Sequence, residues 1–231
     1  CCMRMKLLAI ETSTEFCSLA LWLDGEIFLR EELASQRHSQ LLLPMLQTLL
    51  VDNAIRLTDL DCIAFGAGPG SFTGLRIACG VAQGLAYGAN KPVVAVSTLN
   101  ALAENAGGDK VIAALDARMG EIYHASYEKI AGVWQEITRP ALCLPENAPA
   151  VSGHDWLGTG SGFLAHAESL KQRYSGQLRE TMESARPSAR EIAVLGTAAW
   201  RAGLAVEAAQ ARPVYIRDKV AMTREERATH L

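Results

Sequence analysis

Three short stretches of this 231-residue chain hold the residue types that chemistry needs. Glu11-Thr12-Ser13-Thr14 ends an apolar run and sets a carboxylate beside three hydroxyls. Gly66-Ala67-Gly68-Pro69-Gly70-Ser71-Phe72-Thr73-Gly74 falls between a strand pattern and a helix pattern, a place where free backbone N–H groups can hold an anion. Asp116-Ala117-Arg118-Met119-Gly120-Glu121-Ile122-Tyr123 brings acid, base and acid together within six residues. None of the three completes a catalytic arrangement. The glycine loop lacks Gly-Lys-[Ser/Thr], and its spacing is GxGxG, so it is neither a P-loop nor a dinucleotide fingerprint. Spacing alone leaves it open between a tight structural turn and an anion cradle. The 116–123 stretch is equally open between an exposed turn with a local ion pair and a polar cluster facing a cleft. The histidines, His38, His124, His154, His166 and His230, show no HxxxH or HExxH spacing. No cysteine pair has CxxC spacing, and there is no G-x-S-x-G nucleophile. No metal site and no catalytic residue are expected.

Composition narrows the classes further. Hydrophobic residues make up 49% and charged residues 20%, enough for a sizeable core and too few charges for disorder. The net charge of −3 lacks the basic surplus of a chain that grips a nucleic-acid backbone unaided. Cys17, Cys62, Cys79 and Cys143 sit in or beside apolar segments, as reduced, buried thiols of a cytoplasmic protein do. No apolar stretch reaches the ~18 residues of a membrane span, and residues 1–5 hold no apolar run of a leader peptide.

The positioning elements follow from periodicity. Strands are expected at 6–10, 16–23 and 27–33, with Asp24-Gly25 as a hairpin turn. A helix at 38–53, a strand at 62–65, a helix at 73–87, a strand at 92–96 and a helix to 106 complete a βββαβαβα half. Gly107-Gly108-Asp109 marks a break, which gives subdomains 5–107 and 108–231. The second half opens again with strands at 111–115, 121–127 and 133–137. Residues 139–149, with three of the eight prolines, read as a loop. A strand at 156–162, helices at 163–174 and 188–202, and an extended 213–216 follow, with a loose polar end. Two halves that each begin with a β-meander indicate a duplicated α/β architecture.

Two helices carry surplus apolar surface. Leu41, Leu42, Leu43, Met45, Leu46, Leu49 and Leu50 cover roughly 200° of the first, where a helix on one sheet needs little over 100°. Pro44 is expected to kink this helix or mark its first turns. The second helix has only Arg76, Gln83 and Tyr87 as a polar arc, and Gly80, Gly84 and Gly88 recur four apart. Each helical Gly costs about 1 kcal/mol against Ala, so three point to a packing reason. Either both helices are sandwiched in a large core or they build an interface with another subunit.

Five ordered blocks then match a family: Leu8 to Thr14; His38-Ser39-Gln40 running to Leu43-Pro44-Met45; Gly68 to Arg76; Val96-Ser97-Thr98-Leu99; and Asp116 to Tyr123. Over nearly its whole length the chain resembles the TsaB family, also called YeaZ or glycoprotease-like. That resemblance implies an actin-like (ASKHA, ribonuclease H-like) fold. It also implies a non-catalytic role in adding threonylcarbamoyl to a tRNA adenosine, beside the catalytic paralogue TsaD and the small ATPase TsaE. The metal-binding HxxxH of TsaD falls here on Thr98 and Leu102, which cannot replace imidazoles. In actin-like nucleotide-binding folds the first hairpin reads Asp-x-Gly-[Ser/Thr]. Glu11 and Ser13 stand at its Asp and Gly, so Glu11, Thr12, Ser13 and Thr14 read as a vestigial nucleotide loop. The family's heterodimer contact uses the first two helices. The expected anchors are therefore Leu41, Leu42, Met45, Leu46 and Leu49, with Gly80 and Gly84 as the strip and Arg76, Gln83 and Tyr87 as the rim. The expected chain has no cofactor of its own, meets ATP or ADP and tRNA only through the complex, and forms a homodimer when alone. The alternatives are an actin-like ATPase or small-molecule kinase using Glu11 and, last, a peptidase.

Overall fold

The computed structural model describes residues 5–216. Cys1, Cys2, His230 and the expected loose end lie outside the described residues. The first half contains β1 (Lys6–Glu11), β2 (Phe16–Leu23), β3 (Glu26–Leu33), α1 (His38–Asp52), β4 (Cys62–Gly68), α2 (Phe72–Ala89), β5 (Val93–Ser97) and α3 (Thr98–Ala106). Asp24 and Gly25 both take positive φ, as the two-residue hairpin between β2 and β3 requires. The second half contains β6 (Lys110–Asp116), β7 (Ile122–Ile130), β8 (Val133–Cys143), β9 (Trp156–Thr159), α4 (Ser161–Ala165), α5 (Ala167–Arg173), β10 (Leu178–Met182) and α6 (Ala189–Arg201). The sheets run β3-β2-β1-β4-β5 and β8-β7-β6-β9-β10. In each, the first strand is antiparallel to the second and parallel to the fourth. This is the duplicated, actin-like α/β arrangement expected from the sequence.

Alternation along β1 sets the layers. Leu8 and Ile10 face α1 and α2, in a core with Leu19, Leu21, Leu42, Leu46, Leu49 and Phe65. Leu7 and Ala9 face the other way, onto Ile192 and Ala193 of α6. Gly196 lets α6 come close, because a Cβ there would stand 2.6 Å from that of Ala64. α3 serves both halves: Ala101 belongs to the first core, and Leu99, Leu102 and Ala103 pack on Val111, Ala113 and Leu115 of the second sheet. α4 and α5 cover the far side of that sheet through Phe163, Leu170 and Tyr174.

Several expectations need correction. The expected second subdomain, 108–231, is not one packing unit. Its α6 covers the first sheet, and Val206 bridges to Val93 at the edge of β5. The chain therefore crosses between halves twice, near Gly107 and again at Arg186–Ser188, where Arg186 pairs with Glu31 and stacks on Phe16. The expected loop at 139–149 is a strand as far as Cys143. Pro140 is tolerated because β8 is an edge strand and the register slips between His124 and Ser126. The helix expected at 163–174 is broken at His166, whose extended φ of −131° ends α4 and starts α5. β10, Leu-Arg-Glu-Thr-Met, went unread because a half-exposed edge strand shows little apolar alternation. Pro44 lies on the exposed side of α1, which runs on past it. Among the described residues no helix is long and apolar enough to cross a membrane.

Leu46 is 4% exposed and Leu43 is 53% exposed. Truncating the first to Ala should therefore cost about 2–5 kcal/mol in a denaturant melt, and truncating the second well under 1 kcal/mol. Similar losses at both positions would show that the face of α1 turned to the sheet is misassigned.

Candidate functional site

α1 and α2 lie side by side on one face of the first sheet. Their exposed surfaces differ from the sequence expectation in an informative way. Leu42, Met45, Leu46 and Leu49 are buried against the sheet and are core residues, not available anchors. Leu41 is half-buried and lines a groove of about 400 Å³ on the β3 side of α1, with Leu29, Arg30, Glu32, Pro44 and Thr48. The outward stripe of α1 is instead Leu43, Gln47, Leu50 and Val51, with Leu43 and Val51 53% and 71% exposed. On a helix apolar nearly all round, periodicity shows that there is a second face but not which face is inward.

α2 divides more sharply. Leu75, Ala78, Cys79, Ala82 and Ala86 are buried, while Gly80, Gly84 and Gly88 are exposed. A Cβ added at any of these three glycines would meet nothing within 4 Å. Nothing in the fold of the described chain therefore requires them. Tyr87, beside the strip, is 81% exposed. Ile77, Val81 and Leu85 are half-buried along the flanks of the core. Gln83 is half-buried and donates to the Ala211 carbonyl at 3.4 Å. Arg76 is not a free rim residue. Its guanidinium lies 3.8 Å from the Phe72 ring centroid, and its Nε donates to the Tyr215 hydroxyl at 3.1 Å. Residues 212–216 thus form a strap across the start of α2, pinned by Val214 N–H on the Ala67 carbonyl at 2.7 Å. Its aromatic partner Tyr215 had no recognisable signal in the sequence.

The turn expected as a nucleotide loop, Glu11 to Thr14, is filled from within by the start of α2. The Gly-rich loop turns over the β1–β2 turn and delivers the first turn of α2 directly onto it. Ser71 N–H donates to the Ser13 carbonyl at 2.9 Å, and Thr12 Oγ1 donates to the Gly74 carbonyl at 2.8 Å. Gly70 passes Ser13 so closely that a Cβ would lie 2.7 Å from the Ser13 Cβ. At Gly74 a Cβ would strike the Thr12 carbonyl oxygen. Ser71 caps α2 through its own hydroxyl on Gly74 N–H. Thr98, at a place where the resemblance expects a metal ligand in the paralogue, is buried and donates to the Pro69 carbonyl; Leu102, at the other, is buried in the core. The hollow between this loop, Tyr123 and the strap holds about 30 Å³, room for a water or two. Glu11 is wholly buried, and burial pushes its carboxyl up to about 7 against the hydrogen bonds of Ser13.

Across the cleft, the 116–123 stretch is a turn with Arg118, Met119 and Gly120 all at positive φ. Asp116 accepts from Arg118 N–H at 3.0 Å and lies 3.6 Å from its guanidinium and 3.7 Å from His166. Among the described residues no group of three or more His, Cys, Asp or Glu side chains converges as a metal ion requires.

Comparison with known proteins agrees with this geometry. Residues 30–225 match the family described as TsaD: tRNA N6-adenosine threonylcarbamoyltransferase. The chain is 40% identical over 226 residues to the tRNA threonylcarbamoyladenosine biosynthesis protein TsaB of Escherichia coli K12, covering 94% of this chain and 96% of that one. To the protein of the same name from Haemophilus influenzae it is 35% identical over 229 residues, covering 94% and 95%. Two crystal structures from Pseudomonas aeruginosa superpose closely. One is described as similar to peptidase YEAZ, with a TM-score of 0.87 at 40% identity, covering 92% of this chain and all of that one. The other is YeaZ, with a TM-score of 0.86 at 40% identity, covering 91% and 99%.

The two classes of glycine on α2 should respond oppositely. Gly74→Ala should cost about 3 kcal/mol, the upper range of overpacking, because a backbone carbonyl blocks the new methyl. Gly84→Ala should stabilise the chain by about 1 kcal/mol, measured at concentrations where it is monomeric. Equal effects in urea melts would contradict the packing described here.

Proposed function

The chain belongs to the TsaB family, and we propose that it serves tRNA threonylcarbamoyladenosine biosynthesis as a non-catalytic subunit that docks on the catalytic paralogue TsaD. The observation that carries this reading is the open glycine strip of α2. Gly80, Gly84 and Gly88 lower helix stability, and a Cβ at any of them would meet nothing within 4 Å among the described residues. A second helix laid along the strip could approach backbone to backbone, as small-residue strips allow. Leu43, Leu50 and Val51 of α1 and Tyr87 of α2 supply the apolar and aromatic contacts around it. In this reading the ATPase TsaE joins the complex afterwards, tRNA is engaged by the complex in the cytoplasm, and any ATP or ADP is held at that level. The isolated chain covers the same face with a second copy of itself.

The packing of the cleft supports the non-catalytic assignment. The β1–β2 turn that would cradle a phosphate is already occupied by the first turn of α2. An ATPase or kinase reading needs that contact to open. The word peptidase attached to one structural relative finds no clustered metal ligands among the described residues here.

Gly84→Leu tests the proposal. A Cβ there meets nothing within 4 Å among the described residues, so by circular dichroism the variant should fold like the parent, with a melting temperature at least as high under monomeric conditions. Affinity for purified TsaD, measured by calorimetry, should fall at least roughly tenfold, or about 1.4 kcal/mol. Full affinity in the variant would remove this face from consideration.

A further inference from the structure

Glu11 is the last residue of β1. Along the strand its side chain falls on the same face as Leu7 and Ala9, the face turned toward α6 and α3. Its carboxyl sits against Gly66 of β4 and close to Thr98 of α3. One oxygen, Oε1, accepts from Ser13 N–H at 2.5 Å. The other, Oε2, is buried without a hydrogen-bond partner and fills the space that a Cβ on residue 66 would need. Ser13 in turn bears the start of α2, through its carbonyl on Ser71 N–H and its contact with Gly70. A single carboxyl thus lies directly beneath the joint between turn and helix, sealed from water with Oε2 unpartnered; hydrogen bonds from Ser13 and Thr12 favour its charged form, and burial outweighs them.

Among the described residues no charged partner compensates it. On the turn, Glu15 is exposed. Cys17 of β2 and Cys62 of β4 are thiols whose values burial pushes up to about 12. Arg76 of α2 is engaged outward with Phe72 and Tyr215. Glu104 of α3 is held by Lys129 and Trp134. On α6, Arg190 is exposed and Glu191 is a buried acid raised by its own desolvation. The environment therefore favours the neutral acid, since an unpaired buried charge is far more costly than a neutral group.

We propose that Glu11 is a proton-operated latch on the joint between the β1–β2 turn and α2. With its proton, the neutral carboxyl stays packed on Gly66 and keeps Ser13 in the position that receives Ser71 and Gly74. Without it, the charged group is drawn toward water, Ser13 follows, and the first turn of α2 loosens. The direction with pH follows from linkage. The folded-state value, about 7, lies above the ordinary 4.5, so the native state binds the proton more tightly. Stability then falls as pH rises from about 4.5 to about 7 and is level above. The proposal concerns a joint within this chain and stands apart from the partner reading.

The test is a nuclear magnetic resonance titration of the full chain, with carbon-13 in the glutamate carboxyls and nitrogen-15 in the amides. The Glu11 carboxyl should titrate near 7. The amides of Ser13, Ser71 and Gly74 should shift with the same midpoint. Their opening, from hydrogen exchange corrected for intrinsic rate, should rise several-fold and at most roughly tenfold between about pH 6 and 8. Glu11→Gln should abolish the coincident shifts. A carboxyl that titrates below about pH 5, in the ordinary range, would overturn the proposal. So would Ser71 and Gly74 amides that ignore a neutral transition, or a pH response that persists in Glu11→Gln. Should that variant not fold, the wild-type titration alone decides.

Discussion

The tightest approach of a glycine to another backbone, among the described residues, is the passage of Gly74 over the Thr12 carbonyl. A helix begins there with no side chain between it and the turn below, and two hydrogen bonds flank the crossing, from Thr12 Oγ1 and from Ser71 N–H. The direction of α2 is set by that contact. The inward row of Leu75, Ala78, Ala82 and Ala86 then falls on β4, and the opposite row, Gly80, Gly84 and Gly88, is left facing outward. The same packing that fills the β1–β2 turn with the start of α2 leaves the glycine strip facing outward.

A second level of organisation concerns which layers are shared. α3 and α6 occupy the middle of the molecule, and α3 contributes to the cores on both sides. The halves are alike in strand order, yet they are not interchangeable modules. The linker at Arg186–Ser188 is tied to the first half by Glu31, by the Phe16 ring and by Ser18, which accepts from Ala189 N–H at 3.0 Å. Contacts of this kind tie the second crossing of the chain to the first half.

Much of this was legible in the residues. The strand meanders, the glycine-rich loop and the long helices carry strong local signals: Asp24-Gly25 for the hairpin, continuous β-branched and apolar runs for β4 and β5, and helical periodicity for α1 and α2. The duplication was visible because each half repeats the meander. What stayed hidden depends on distance in space. No local signal says that α6, amphipathic like any surface helix, belongs to a sheet more than a hundred residues earlier. An edge strand with a proline, β8, looks like a loop until its neighbour and bulge are known. Of the residues expected as anchors on α1, Leu42, Met45, Leu46 and Leu49 face the sheet, while the exposed apolar surface lies elsewhere on the helix. Leu42, Met45, Leu46 and Leu49 and their outward neighbours Leu43, Leu50 and Val51 are chemically alike, and only the position of the sheet separates them. On α2 the glycines broke that symmetry, so the reading of its outer face survived.

The late arrival of α6 has a consequence for biogenesis. As the polypeptide leaves the ribosome, all five strands of the first sheet and the helices α1 and α2 are available long before residues 189–201 are made. Until then, Leu7, Ala9, Ala64 and Val94 form a bare apolar floor on one side of that sheet. The nascent half can collapse but cannot seal until residues 189–201 have emerged. A chain cut short before α6 therefore exposes that floor as a ready surface for chaperones and for aggregation.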